Sequence, residues 1–254
     1  MKKHSWVTFE DLFLIPTRNG LYKNSTDEGK TVKIIKMGEL FSYPILNGEN
    51  IEESLNVNDK ELNTFSVKEN DLVFSRTSLT RDGVGKCIII QNLKEKTIFE
   101  SNLIRIRLDE KVANPWFYFY FFNSYLGRNI VDGIIQQVGA ASIRGSDLKK
   151  LLVLHPSLEY QQKVSDILKT IYTKILVNQK INQTLDLIAE TIFKHWFIYF
   201  EFPNHENKPY LMNDGEMIDS EMGLIPKSWE ICSLEQFIDL DKGLSYKGKF
   251  LADS

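Results

Sequence analysis

Two short stretches carry residue types that could do chemistry, and their spacing argues against both. Asn114-Pro115-Trp116-Phe117 is one residue from the Asn-Pro-Pro-aromatic signature of amino-group methyl transfer, but no Gly-rich methyl-donor loop follows a strand upstream of it. Asn-Pro is also an ordinary helix start, with proline at the first helical position. Gly83-Val84-Gly85-Lys86 has the tail of a phosphate-binding loop, yet position 80 is Thr rather than Gly and Cys87 replaces the Ser/Thr. Cys87 and Cys232 lie far apart, and His4, His155, His195 and His205 have no close Cys or His partner, so no metal-ligand pattern forms. No Ser/His/Asp or paired-carboxylate arrangement can be assigned. The expectation is a binding protein with no catalytic residue, no metal and no cofactor of its own.

DNA readout asks for long side chains on protruding loops: Arg to guanine, Asn or Gln to adenine, and Lys or Arg to phosphates. Two loops meet that description. The first holds Arg76, Thr77, Ser78, Thr80, Arg81 and Lys86, with Gly83 and Gly85 allowing close backbone approach. The second runs from Gln136 and Gln137 through Ser142 to Arg144. Lys33 and Lys36, on an early strand, are secondary candidates. The net charge of −3 does not exclude nucleic acid, because the charge is unevenly spread. Residues 1–157 carry 21 basic against 19 acidic side chains, and residues 158–254 carry 10 against 15.

The elements that must hold these loops are short strands and helices in an α+β order. A strand and a small amphipathic helix precede the Asn19-Gly20 turn, and TVKIIKMGE (31–39) alternates as a strand. Residues 44–64 are polar and turn-rich and read as a surface loop. Strands are expected in 65–75, 86–91 and 98–109, the last with Ile104, Ile106 and Leu108 on one face and Arg105 and Arg107 on the other. Asn114-Pro115 starts an aromatic helix, WFYFYFF; a second helix is expected over 124–137, a loop over 139–145, and a strand before Pro156. No apolar run approaches the roughly 18 residues of a membrane span. The start MKKHSW has no apolar signal region, so a cytoplasmic protein is expected.

The longest periodic stretch runs from Ser157 to Trp196. Val164, Ile171, Asn178, Leu185 and Ile192 share one heptad phase, and Ile167, Ile181 and Ile188 fill a second, interrupted by Lys174. Roughly five such heptads predict one coiled-coil helix, about 55 Å long. Ser157 is placed to cap it, and Glu159 sits in its first turn. After the helix and an acidic linker the chain echoes its own beginning at a period of about 223 residues. Trp229, Glu235, Gly243 and Leu244 match Trp6, Glu10, Gly20 and Leu21, with a two-residue insertion before the Glu. The domains expected are therefore 1–156 (globular), 157–200 (spacer helix), 201–226 (linker) and 227–254 (the opening of a second copy).

This order of pieces resembles the specificity subunit of type I restriction–modification systems. Asn70 to Lys86 (NDLVFSRTSLTRDGVGK) is similar to that family's GDIL-s-R-sG strand and loop, with Asn70 where Gly is more usual. GAASIR (139–144) is similar to its Gly-small-polar loop, and VLHPSLEYQQKVSDIL (153–168) to its P-P-leeQ-xIa-xxL helix entry. LIAETIFKHWFIYF (187–200) resembles the helix end, and GLIPKSWEICSL (223–234) the start of the next recognition domain. The resemblance implies a non-catalytic target-recognition domain that reads double-stranded DNA. It also implies a helix that docks a modification subunit and sets the spacing of two recognition halves. Methyl donor and ATP would sit on the modification and restriction subunits. The chain looks like a half-length form, for which a homodimer through the long helix is expected, with Asn178 fixing register. The alternative is a coiled-coil decoy or regulator that pairs with a full-length subunit without binding DNA.

Overall fold

LVFS, CIIIQ and LIRIRL build the middle of a sheet because they are rich in β-branched and aromatic residues and both of their faces are covered. The computed structural model describes residues 5–22, 29–138 and 140–243. The chain divides into two compact units, Met1–Ile175 and Leu176–Ser254.

In the first unit a five-stranded sheet runs in the order Phe13–Asn19, Leu103–Leu108, Leu72–Ser75, Cys87–Gln91, Ile45–Asn47. Its pairs are antiparallel except the last, which is parallel. Alternation sends Leu72, Phe74, Cys87, Ile89, Ile104 and Ile106 into one core, and Val73, Ile88, Ile90 and Leu103 into another. Arg105 and Arg107 share the second face, as the alternation predicts. Arg105 is buried and donates Nη1 to the Ser66 carbonyl at 2.7 Å. Arg107 grips the buried Asp71 carboxylate with two hydrogen bonds of 2.6 Å. A smaller sheet joins Lys30–Ile35 to Ser54–Val57 (antiparallel) and Thr97–Phe99 (parallel) over a third core.

Several expectations are corrected. Residues 44–64 are not a loop: they hold strands Ile45–Asn47 and Ser54–Val57 and the start of helix Asp59–Phe65. Isolated apolar residues (Leu46, Ile51, Val57 and Leu62) anchor the stretch, and an Asn58–Glu61 capping box starts the helix. The helix expected over 124–137 stops at Asp132, and Gln136–Val138 is a strand paired with Ala140–Ser142. The amphipathic helix near the start is a single 3-10 turn, Phe9–Leu12.

The aromatic helix Pro115–Asn123 starts where Asn114 Oδ1 accepts the Trp116 and Phe117 N–H groups at 2.9 and 3.2 Å. Its Phe122 ring lies 4.8 Å from Phe9 and 5.1 Å from Phe74, against the central sheet. The long helix Leu158–Phe193 begins against this helix. Ser157 caps it through Tyr160 N–H (3.4 Å), and Gln161 is fully buried one turn in. Gln161 Oε1 accepts the Asn114 N–H at 2.8 Å, and its amide nitrogen donates to the Pro156 carbonyl at 2.8 Å. Asn114 returns a bond to Gln162 Oε1 at 2.7 Å. Next to this node the Tyr118 hydroxyl lies 2.9 Å from His155 Nδ1. Val164 and Tyr172 pack on the same core, and the Lys169 ammonium sits 4.2 Å from the Trp116 ring centroid.

In the second unit the helix ends in a π turn, Lys194–Ile198. Trp229 stacks on Phe202, 5.5 Å between centroids, beside Phe197 and Phe200. The stretch 201–226, expected as a linker, holds the hairpin Met217–Ser220 and Gly223–Pro226. Glu10 and Glu235, matched in the sequence repeat, both lie in 3-10 turns, Phe9–Leu12 and Leu234–Gln236. Trp6 lies in strand Ser5–Thr8, whereas Trp229 lies outside any strand, and Leu244 falls outside the described residues.

Two outcomes follow for the helix junction. Gln161→Leu leaves the Asn114 N–H buried without an acceptor and lowers stability by about 1–3 kcal/mol, read as a shift of the urea midpoint. Burial holds His155 below the ordinary histidine value, so the unfolded chain takes up its proton more readily. Its contribution is full above about pH 6.5 and is lost as pH falls below that. The urea midpoint therefore drops more in wild type than in His155→Gln between about pH 7.5 and about pH 5.5.

Candidate DNA interface

The two loops singled out in the sequence meet in one small sheet. Strand Ala140–Ser142 pairs with Gln136–Val138 on one side and with Thr77–Ser78 on the other. Ser142 stands opposite both Gln136 and Thr77, and Ala141 opposite Gln137 and Ser78. Residues some 60 positions apart in the chain are thereby placed side by side on neighbouring strands. The Gln137 side chain and Gly139 lie outside what the structure describes.

The sheet is laced to the domain mainly through backbone carbonyls. Arg76 Nη1 donates to the Ser101 carbonyl at 3.0 Å, and the Arg76 carbonyl accepts the Ile143 N–H at 2.9 Å. Arg81 Nη2 donates to the Asp132 carbonyl at 3.0 Å. Lys86 Nζ donates to the Phe41 carbonyl at 3.0 Å and lies 5.2 Å from that residue's ring centroid. Arg128, which sequence reasoning passed over, donates to the carbonyls of Val84 and Asp82. A lone helical arginine gave no signal that it serves a distant loop. Ser75 Oγ donates to the Gly83 carbonyl at 2.6 Å and accepts the Lys86 N–H at 2.9 Å.

The loop needs glycine where its backbone turns left-handed. Gly85 has φ +69°, and a Cβ on it would lie 2.2 Å from Val131 Cγ1. Asn70, standing where the resembled motif more often has Gly, has φ +66°, a left-handed position that Asn tolerates better than most residues.

The remaining candidates separate by place. Thr77 Oγ1 donates to Asn102 Oδ1 at 3.0 Å, which brings an exposed Asn the sequence reading had not singled out to the edge of the sheet. Gln136 reaches Asp147 at 3.4 Å, and Thr80 is exposed. Arg144 is exposed, and its guanidinium has no hydrogen-bond or ion-pair partner among the described residues. Lys33 and Lys36 belong to the smaller sheet region instead. Lys33 donates to the Glu52 carbonyl, and Lys36 pairs with Glu53, whose hydrogen bond holds the ammonium above its ordinary range.

On the long helix, Ile167, Ile171, Asn178, Ile181, Leu185, Ile188 and Ile192 are exposed, whereas Val164 is half-buried against its own domain. From Thr173 to Tyr199 every residue is exposed. Among the described residues no group of His, Cys, Asp or Glu could hold a metal, and no helix is long and apolar enough to cross a membrane.

Residues 2–187 match the family described as "Type I restriction modification DNA specificity domain". The chain belongs to this family. It is 36% identical over 101 residues to the specificity subunit of the MjaIX type I restriction enzyme of Methanocaldococcus jannaschii, covering 40% of this chain and 22% of that protein. It is 24% identical over 216 residues to the putative MjaX specificity subunit of the same organism, covering 80% of this chain and 48% of that one. The matched region thus spans at most about half the length of these curated relatives. A chain in a solved structure of the type I R-M system, from work on its assembly and conformational transition, superposes with a TM-score of 0.53. The identity is 14%, over 76% of this chain and 44% of that one, and the likeness is one of fold.

The anchoring of the loop is open to a direct test. Gly85→Ala combines a strained φ with a clash against Val131 and costs more than about 1 kcal/mol. Asn70→Gly keeps the left-handed turn but gives up the side-chain bonds to Gln91 (2.8 Å) and Glu110 (3.2 Å), and costs about 0.5–1.5 kcal/mol. Both are read as shifts of the urea midpoint.

Proposed function

We propose that this chain acts as the specificity subunit of a type I restriction–modification complex. In this reading the first unit recognises double-stranded DNA, and partner modification and restriction subunits methylate adenine and cleave. The observation that carries it is the small sheet in which Thr77, Ser78, Gln136 and Ser142 stand together on a domain of this family. A rigid scaffold presenting polar loops suits readout of base edges. The chain contributes no catalytic step and binds neither methyl donor nor ATP; those belong to the partners.

The exposed seam of Ile167, Ile171, Ile181, Leu185, Ile188 and Ile192 suits pairing with a second helix of the same pattern. In this reading two copies pair through it, Asn178 fixes the register, and the pair reads a two-fold symmetric site interrupted by a fixed gap. Val164 stays on its own domain and takes no part in the seam.

The test is co-expression with a type I modification subunit, followed by genome-wide mapping of methylated adenines and DNA-binding titrations in salt. Methylation at one interrupted palindrome supports both halves of the proposal. Methylation confined to an asymmetric half-site overturns the two-copy arrangement. Absence of methylation together with absence of salt-dependent DNA retention overturns recognition and favours a decoy that pairs through its helix. Arg144→Ala, with no partner to lose among the described residues, weakens DNA binding and flattens the salt slope by about 0.9 while the urea midpoint stays fixed.

A further inference from the structure

Leu79, between strand Thr77–Ser78 and the turn Arg81–Gly83, is 97% exposed, more than any other large apolar side chain among the described residues. A single exposed leucine is ordinary on a protein surface. This one differs in how firmly its backbone is held. Ser78 Oγ accepts the Thr80 N–H at 3.2 Å, directly across Leu79. The Thr80 carbonyl accepts the Gly83 N–H at 3.2 Å, and the Gly83 carbonyl accepts from Ser75 at 2.6 Å. On the far side Arg81 is tied to the Asp132 carbonyl. A Cβ on Gly83 would lie 2.3 Å from Ser78 Oγ, so the loop is already closed tightly on itself. Leu79 cannot fold back into a core without breaking these bonds.

The surroundings define what such a side chain could meet. Ser78, Thr80 and Arg81 flank it, and Ser142 and Gln136 stand on the adjoining strands. Arg76 and Arg81, the long cationic side chains of this loop, each commit a guanidinium donor to a backbone carbonyl of the protein itself. The foremost apolar group is thus Leu79, set among hydroxyls, amides and cations. In the major groove the edges of the bases offer donors, acceptors and one apolar group, the C5 methyl of thymine. We propose that Leu79 is a specificity-determining residue that packs against the C5 methyl of a thymine in the target site. The inference rests on the DNA-recognition reading above and adds to it one base and one atom group.

The experiment uses the chain with its modification subunit and the target defined by methylation mapping or by selection from random duplexes. Each specified thymine is replaced singly by deoxyuridine, which removes the methyl group and nothing else. Wild type loses about fourfold in affinity at one such position, as expected for one buried methyl group. Leu79→Ala shows no loss there, and at the remaining thymines the two proteins respond alike. Urea midpoints of the two are equal, because Leu79 makes no part of a core. Equal responses of wild type and Leu79→Ala at every thymine overturn the proposal, as does a target that specifies no T·A pair. Weaker binding by Leu79→Ala without a coupled thymine also overturns it, and indicates instead a wedge between base steps. If wild type selects no duplex at all, the recognition reading falls and this inference falls with it; a wild type that selects a site without coupling sinks the inference alone.

Discussion

Two buried amide side chains, Asn114 and Gln161, fix the start of the long helix against the first unit. Each sits at the first turn of a helix, where backbone N–H groups lack partners. Asn114 satisfies its own helix, and Gln161 satisfies the Asn114 N–H and the Pro156 carbonyl. An apolar side chain at either place would strand a buried polar group, at a cost of about 1–3 kcal/mol. An apolar contact could slide by a turn, but this node cannot, because its bonds are directional. Val164, Tyr172 and the Lys169–Trp116 contact then pack around a direction that is already set.

The same economy governs the candidate interface. The central sheet is buried on both faces and supplies stiffness, while the small sheet carries the half-buried Thr77, Ser78 and Ser142 and the exposed Gln136. Between them lies a layer of arginines and a lysine whose work is internal: Arg76, Arg81, Arg128 and Lys86 tie one loop to another. Cations that a sequence reading assigns to phosphates therefore also hold the loop in shape. Each retains further donors for a ligand, since a guanidinium has five N–H groups and an ammonium three. The exposed Arg144 has no such internal duty among the described residues.

Much of the first unit was legible in the sequence wherever periodicity or capping chemistry is strong. The seven-residue repeat marked the long helix, Asn114-Pro115 marked the aromatic helix, and alternation in LIRIRL separated Ile104 and Ile106 from Arg105 and Arg107. Residues 44–64 were misjudged because their strands are three and four residues long, too short for a period to show. Gln136 and Gln137 extend the expected helix because a three-residue strand is recognised only by its partner, which lies across the fold. The two candidate stretches read as loops, yet they supply the strands Thr77–Ser78 and Ala140–Ser142, and their union in one sheet depends on pairing across the fold. Gln161 gives no signal of its role in the sequence, since burial of a glutamine on a helix follows from what packs over it. Leu79 drew no notice because a leucine in a polar run carries no chemistry until its exposure is known.

The acceptors that hold the loops of the candidate interface are carbonyls of Ser101, Asp132, Val84, Asp82 and Phe41, main-chain atoms present whatever side chain those positions carry. Such anchors are blind to mutation in the residues that provide them. Substitutions at Leu79, Thr80, Gln136 or Arg144 leave every one of these bonds in place. The scaffold can thus keep its geometry while the exposed positions change, so that the chemistry of this surface can vary through single substitutions that do not first unsettle the fold.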